Sequence, residues 1–239
     1  MDNKTHETKL NLAKKFLDCT NLADASYAML HYVFENEEER IYDSILSIAR
    51  WQFADKITLE DKVKADREIK NSKGEVIANI PKNSNTAYAR CIEARFNQDV
   101  VLEKGILKDK KINNDPKNVK SSDKLSIRTI DFTNRYELLA HEPNTRYGFS
   151  ATLFKDLGEL DKVTGKRKSV EKSEQYILAF RGSELGIDDL SIDLILATNG
   201  IPMQCYEIAR FYEEKIKSKI KDSKLIVVGH SLGGYLAQS

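Results

Sequence analysis

The chain has 239 residues, 41% apolar and 31% charged, enough to bury the core of a globular protein of one or two domains, and no run reads as a membrane span. Its net charge of +1 comes from basic and acidic residues interleaved along the sequence, so no electrostatic field argues for a nucleic-acid partner. Met1 to Leu10 is polar and lacks the apolar stretch of a secretory signal, which makes the cytoplasm the expected address, with export by a route without a cleaved signal as the alternative.

In chain order, Leu10, Leu12, Ala13, Phe16 and Leu17 share one helical face. A break at Thr20-Asn21, either of which caps a second piece, is followed by a helical run from Leu22 to Val33 carrying Ala25, Met29, Tyr32 and Val33. Glu37 to Lys56 reads as another helix, buried through Ile41, Ile45, Ile48, Trp51 and Phe53. Thr58 to Asn85 has poor periodicity and reads as loop with short elements and a Lys73-Gly74 turn. Thr86 to Asp99 predicts a short helix carrying Tyr88, Cys91, Ile92, Ala94 and Phe96. The lysine-rich stretch from Lys104 to Lys124 is expected as a solvated excursion, a patch for anionic lipid head groups being the other reading. Cys19, Cys91 and Cys205 are odd in number, widely spaced and without a Cys-x-x-Cys pair, so they read as buried or half-buried thiols. Trp51, Tyr88, Phe96 and Tyr136 read as core, and no cofactor or metal motif is found.

A helix is expected from Leu125 to Ala140, ending near His141-Glu142-Pro143. The pattern then changes to strands at Phe149 to Leu157 and Glu174 to Arg181, joined by a charged hairpin tip with a Thr164-Gly165 turn. A short helix over Asp188 to Leu196 precedes an amphipathic helix over 203–221, with Met203, Tyr206, Ala209, Tyr212, Ile216 and Ile220 inward and Glu213, Lys217 and Lys221 outward. The apolar run Leu225 to Val228 makes the last strand, and a right-handed crossover with parallel strands is the expectation for this βαβ unit. The chain thus divides into a helical region, residues 1–125, and an α/β region, residues 126–239.

Gly229-His230-Ser231-Leu232-Gly233-Gly234 follows that strand and opens a helix. A Gly-x-Ser-x-Gly in this context presents a serine hydroxyl on a sharp turn, with Gly229 and Gly233 supplying room around it. Together with Ala179-Phe180-Arg181-Gly182-Ser183, Asp189-Leu190 and Asp193-Leu194, this motif resembles the class 3 (fungal-type) lipase family over about Tyr147 to Gln238. The resemblance implies an α/β-hydrolase-like parallel or mixed sheet. It also implies Ser231 as nucleophile, Ser183 and the backbone N–H of Leu232 as oxyanion donors, and Asp193 holding the oxyanion loop. The activity implied is carboxylic ester hydrolysis on lipids, lipase or phospholipase A1-like, with membrane-surface contact, a lipid ester as substrate and no cofactor. Leu190 to Met203 is then a lid or acyl-groove lining, or sheet-facing core.

Family order is Ser, then Asp, then His, and His6, His31, His141 and His230 all precede Ser231. His230 occupies the variable position of the elbow and His141 reads as a helix-end residue, so neither is expected as the base. The sheet is therefore expected to be truncated after the elbow, with a companion C-terminal segment supplying Asp and His. The competing expectation is a non-catalytic remnant or lipid-binding module from a split reading frame.

Overall fold

The computed structural model describes residues 3–33, 67–70, 76–80, 82–106, 108–145, 148–161, 163–171, 175–182 and 203–237. The helices expected at Glu37 to Lys56 and Asp188 to Leu196, and the Lys73-Gly74 turn, lie outside these residues. The described chain is mixed α/β. It opens with α1 (Asn3–Ala25), a 3-10 turn (Leu30–Tyr32), the hairpin β1 (Arg67–Lys70) and β2 (Val76–Ile80), and α2 (Ala87–Phe96). A second hairpin, β3 (Val101–Glu103) and β4 (Lys110–Lys111), leads to α3 (Ile127–Arg135), β5 (Tyr136–Glu142), β6 (Ala151–Asp156) and β7 (Tyr176–Phe180). One long helix follows as α4 (Met203–Phe211), a π segment (Tyr212–Ile216) and α5 (Lys217–Ile220), and β8 (Leu225–Gly229) and α6 (Leu232–Leu236) close the described chain.

The central sheet has four strands in the order β5-β6-β7-β8. β6 runs antiparallel to both β5 and β7, and β8 lies parallel to β7, pairing Tyr176 with Leu225 through Phe180 with Gly229. The parallel pairing and the antiparallel β6–β7 hairpin were expected, and Gly165 takes a left-handed φ of 66° at the hairpin tip. Period-two alternation buries both faces of the sheet. Phe154, Ile177, Ala179 and Val228 face Leu22, Ala25, Tyr88, Ile92 and Phe132 from α1, α2 and α3, while Leu153, Leu178 and Phe180 face Phe211, Ile216, Ile220 and Leu236. Side chains from both sides of residue 125 therefore share one core.

Four expectations are corrected. The break at Thr20-Asn21 does not exist: Thr20 Oγ1 donates back to the Phe16 carbonyl at 2.8 Å, so the hydroxyl sits in a continuous α1 instead of capping a new helix. The apolar face expected at Leu10, Leu12, Phe16 and Leu17 is exposed, and α1 is buried only from Leu22 onward. The helix expected over 125–140 stops at Arg135, and Tyr136 to Glu142 is a strand. Tyr136, Leu138 and Ala140 are its buried positions, but a register shift between Leu138 and Ala140 turns Leu138 to one face of the sheet and Ala140 to the other, and the apolar Leu139 between them masks the alternation in the sequence. In the long helix the inward residues are Gln204, Glu207, Phe211, Ile216 and Ile220, while Met203, Tyr206 and Ala209 are exposed. The π segment's i→i+5 bonding rotates the face that α4 presents relative to α5, so a single 3.6 period cannot describe both halves. Glu207, buried by this shift, accepts from Thr145 Oγ1 at 2.7 Å.

Other expectations stand. Thr86 caps α2, which buries Tyr88, Cys91, Ile92 and Ala94. Cys91 is buried and Cys19 and Cys205 are half-buried. The lysines of 104–124 are exposed, yet Ile112, Val119 and Leu125 anchor the segment against Ala89 and Ala94 of α2. Arg90 reinforces the anchor by donating to the Val119 carbonyl at 2.7 Å. Arg135 fastens α1 to the sheet by pairing with Asp18 and with Asp156, each at 2.9 Å.

Phe154 lies fully buried between the sheet and the helices, its ring edge-to-face with Phe132 at 5.7 Å. Phe154→Ala leaves a cavity there and is expected to lower unfolding stability by about 3–5 kcal/mol in a urea titration.

Candidate functional site

The parallel pairing of β7 and β8 ends at Phe180 opposite Gly229, so the segments that leave the two strands, Arg181-Gly182 and His230-Ser231, emerge side by side. Ser231 has φ +56°, the left-handed region that a β-carbon normally avoids. It is exposed at the tip of the strand-to-helix turn, followed at once by α6. Close packing imposes this conformation. A Cβ on Gly229 would meet the Gly233 carbonyl oxygen at 2.1 Å, and one on Gly233 would meet the Phe180 carbonyl oxygen at 2.6 Å. A Cβ on Gly182 would lie 2.3 Å from the His230 carbonyl oxygen and 3.1 Å from Ser231 Cβ. The backbone of Gly182 therefore lies directly against the elbow.

Leu232 is the first residue of α6, and its N–H is one of the first-turn donors that a helix leaves without an internal acceptor. The next two amides are committed to the turn: Gly233 N–H donates to the His230 carbonyl at 3.0 Å and Gly234 N–H to the Ser231 carbonyl at 2.8 Å. Ser183 and Asp193, the other residues of the expected oxyanion loop, lie outside the described residues, as does the expected lid from Leu190 up to Met203. The structure thus brings Ser231, Leu232, Gly229, Gly233 and Gly182 together.

No described histidine ring is hydrogen-bonded to Ser231 Oγ. His230 Nδ1 lies 3.2 Å from Tyr27 Oη. His141 is not a helix-end residue but a member of β5, its Nδ1 2.9 Å from the buried Thr152 hydroxyl. Desolvation, with lesser repulsion from His31 and Arg181, pushes its pKa down to about 3, so it is neutral. Among the described residues, no side chain is hydrogen-bonded to Ser231 Oγ.

No family model, curated protein or solved structure matches the chain. The functional reading accordingly rests on the residues and on their geometry.

Beside the elbow an open groove of about 1000 Å³ runs between α1 and β8, lined by Phe16, Cys19, Ala23, Tyr27, Val227 and His230 among others. β8 is the edge of the sheet among the described residues, and Val227 on it is 37% exposed. Tyr27 is the site residue that the sequence did not single out; it sits just beyond α1 and its hydroxyl accepts from the Gly182 N–H at 3.0 Å. Nothing local marks it, because its partners are 155 and 203 residues away in the chain.

Two measurements check this geometry. Ser231→Gly and Ser231→Ala both remove the hydroxyl, but only glycine relieves the positive φ, so the glycine variant is expected to be more stable than the alanine variant by about 1 kcal/mol in urea. Equal midpoints would mean an unstrained elbow. For His141, the unfolded chain takes up a proton near the usual pKa of about 6.5 while the folded protein resists it until about 3, so this residue destabilises the fold as pH falls below about 6.5. Between pH 7.5 and 5.0 its contribution to the loss is about 2 kcal/mol. His141→Gln is expected to remove that part of the acid sensitivity, read as the difference between the urea midpoints of the two proteins at each pH.

Proposed function

We propose that the protein is a serine carboxylic ester hydrolase of the lipase class 3 type, an α/β-hydrolase acting on lipid esters in the manner of a lipase or phospholipase A1. The observation that carries this reading is the left-handed backbone of Ser231 at an exposed strand-to-helix turn, with Gly182 packed against its Cβ. A non-glycine residue held in that conformation stores strain, and such strain gathers where a side chain must be presented to a reactant.

In this reading Ser231 Oγ attacks the ester carbonyl and the developing oxyanion accepts hydrogen bonds from the Leu232 N–H and from Ser183. Collapse of the tetrahedral intermediate expels the alcohol, and water then cleaves the acyl-enzyme to release the fatty acid. The base is a histidine oriented by an aspartate, both supplied by a companion segment that pairs along the edge β8 forms among the described residues, where the groove beside α1 offers apolar side chains for its burial. Asp193 steadies the oxyanion loop, and the segment 190–203 forms the lid or the acyl groove. Among the described residues no helix is long and apolar enough to cross a membrane. In this reading the protein meets lipid at a membrane surface.

One observation favours a second reading, a non-catalytic lipid-binding module: no described histidine ring is hydrogen-bonded to Ser231 Oγ, His230 Nδ1 lying against Tyr27 and His141 Nδ1 against Thr152. A fluorophosphonate probe separates the two. The hydrolase reading expects covalent labelling that maps to Ser231 by peptide mass spectrometry, hydrolysis of medium-chain p-nitrophenyl esters, and loss of both in Ser231→Ala, with a fall in turnover of about a thousandfold or more. No label on Ser231, together with equal turnover in the alanine variant, would favour the binding module.

A further inference from the structure

Tyr27 links the N-terminal helix to the elbow through two polar contacts at one atom. Its Oη accepts from the Gly182 N–H at 3.0 Å and lies 3.2 Å from His230 Nδ1. A phenol hydroxyl has one proton to donate, and because Oη is the acceptor toward Gly182 that proton is available to Nδ1. The ring is itself fixed on several sides. The Arg95 and Arg181 guanidinium groups lie over it at 4.8 and 5.5 Å from its centroid, and the His230 ring meets it edge-on at 6.0 Å and 71°. Arg95 is in turn held by Asp24 at 2.7 Å, and Asn114 Nδ2 donates to the Tyr27 carbonyl at 3.0 Å.

We propose that Tyr27 is a positioning residue that fixes the spacing between the Gly182 backbone and the Ser231 elbow, where the Leu232 amide follows; this rests on Ser231 being the nucleophile. The phenol bridges the last described residue of the β7 segment and the residue preceding Ser231. No other described side chain is hydrogen-bonded to both. Gly182 is glycine for the same reason: a Cβ there would lie 2.5 Å from Tyr27 Oη. Because oxyanion donors act through preorganised distance, a clamp that fixes this spacing changes the rate of the chemical step more than the binding of the ester. Tyr27 touches no reacting atom in this account.

Tyr27→Phe removes the hydroxyl and keeps the ring, with its packing under Arg95 and Arg181. Amide hydrogen exchange followed by NMR gives the test. The Gly182 amide is expected to exchange about tenfold faster in the variant, the loss of one neutral hydrogen bond, while Leu178 and Ala179 within β7 stay within about twofold. The His230 ring nitrogen signals are expected to move with it. Unchanged Gly182 exchange would overturn the proposal. So would equal acceleration of the β7 amides, because Tyr27 would then only stabilise the fold. With a p-nitrophenyl ester, kcat is expected to fall about tenfold or more and KM to change less than about twofold. A raised KM with unchanged kcat would instead make Tyr27 a substrate contact and overturn the positioning role. If the wild-type protein hydrolyses no ester, the hydrolase reading fails while the Gly182 exchange still decides whether Tyr27 clamps this backbone.

Discussion

The parallel pairing of β7 with β8 governs the geometry of the whole site. Two parallel strands end at the same level of the sheet, so what leaves one is forced beside what leaves the other, and the Phe180–Gly229 register sets Arg181-Gly182 next to His230-Ser231. The crossover helix that makes the pairing parallel also covers one face of the sheet through Phe211, Ile216 and Ile220. Glycine is required where these backbones converge, at Gly182, Gly229 and Gly233, because a single added carbon at any of them would overlap a backbone oxygen. Removing that pairing would leave an exposed serine on a loop, with no second strand end beside it.

The N-terminal helices belong to this geometry. Leu22, Ala25, Tyr88 and Ile92 pack on the sheet face opposite the crossover helix, and Arg135 ties α1 to β6 through Asp18 and Asp156. α1 is thereby held at the height of the elbow, and the residue just beyond its end, Tyr27, reaches the strand ends. The first half of α1 departs from this pattern. Leu10, Leu12, Phe16 and Leu17 are exposed there, and Phe16 borders the groove along β8.

Much of the sheet and the elbow is legible in the sequence because their signals are local. Leu225 to Val228 is a short apolar run bounded by a turn and by glycines, and a helix between two such runs implies the parallel crossover before any contact is known. The elbow needs only six consecutive residues. What escaped the sequence depends on phase or on distance. In Tyr136 to Glu142 the apolar Leu139 masks the alternation, and α4 carries a π segment that breaks its period, so both are misread by any fixed repeat. Tyr27 has no periodic or motif signature at all; its part in the site exists only after the chain has folded a helix, a sheet and an elbow onto one another.

The central claim is that Ser231 and the strand ends beside it form an acyl-transfer centre. The most direct test is a crystal structure of the protein after treatment with an alkyl phosphonate ester, which mimics the tetrahedral intermediate. The account predicts phosphorus bonded to Ser231 Oγ, the phosphonyl oxygen at about 3 Å from the Leu232 nitrogen, and Gly182 still hydrogen-bonded to Tyr27. An unmodified Ser231, or an adduct whose phosphonyl oxygen points away from the Leu232 amide, would contradict it.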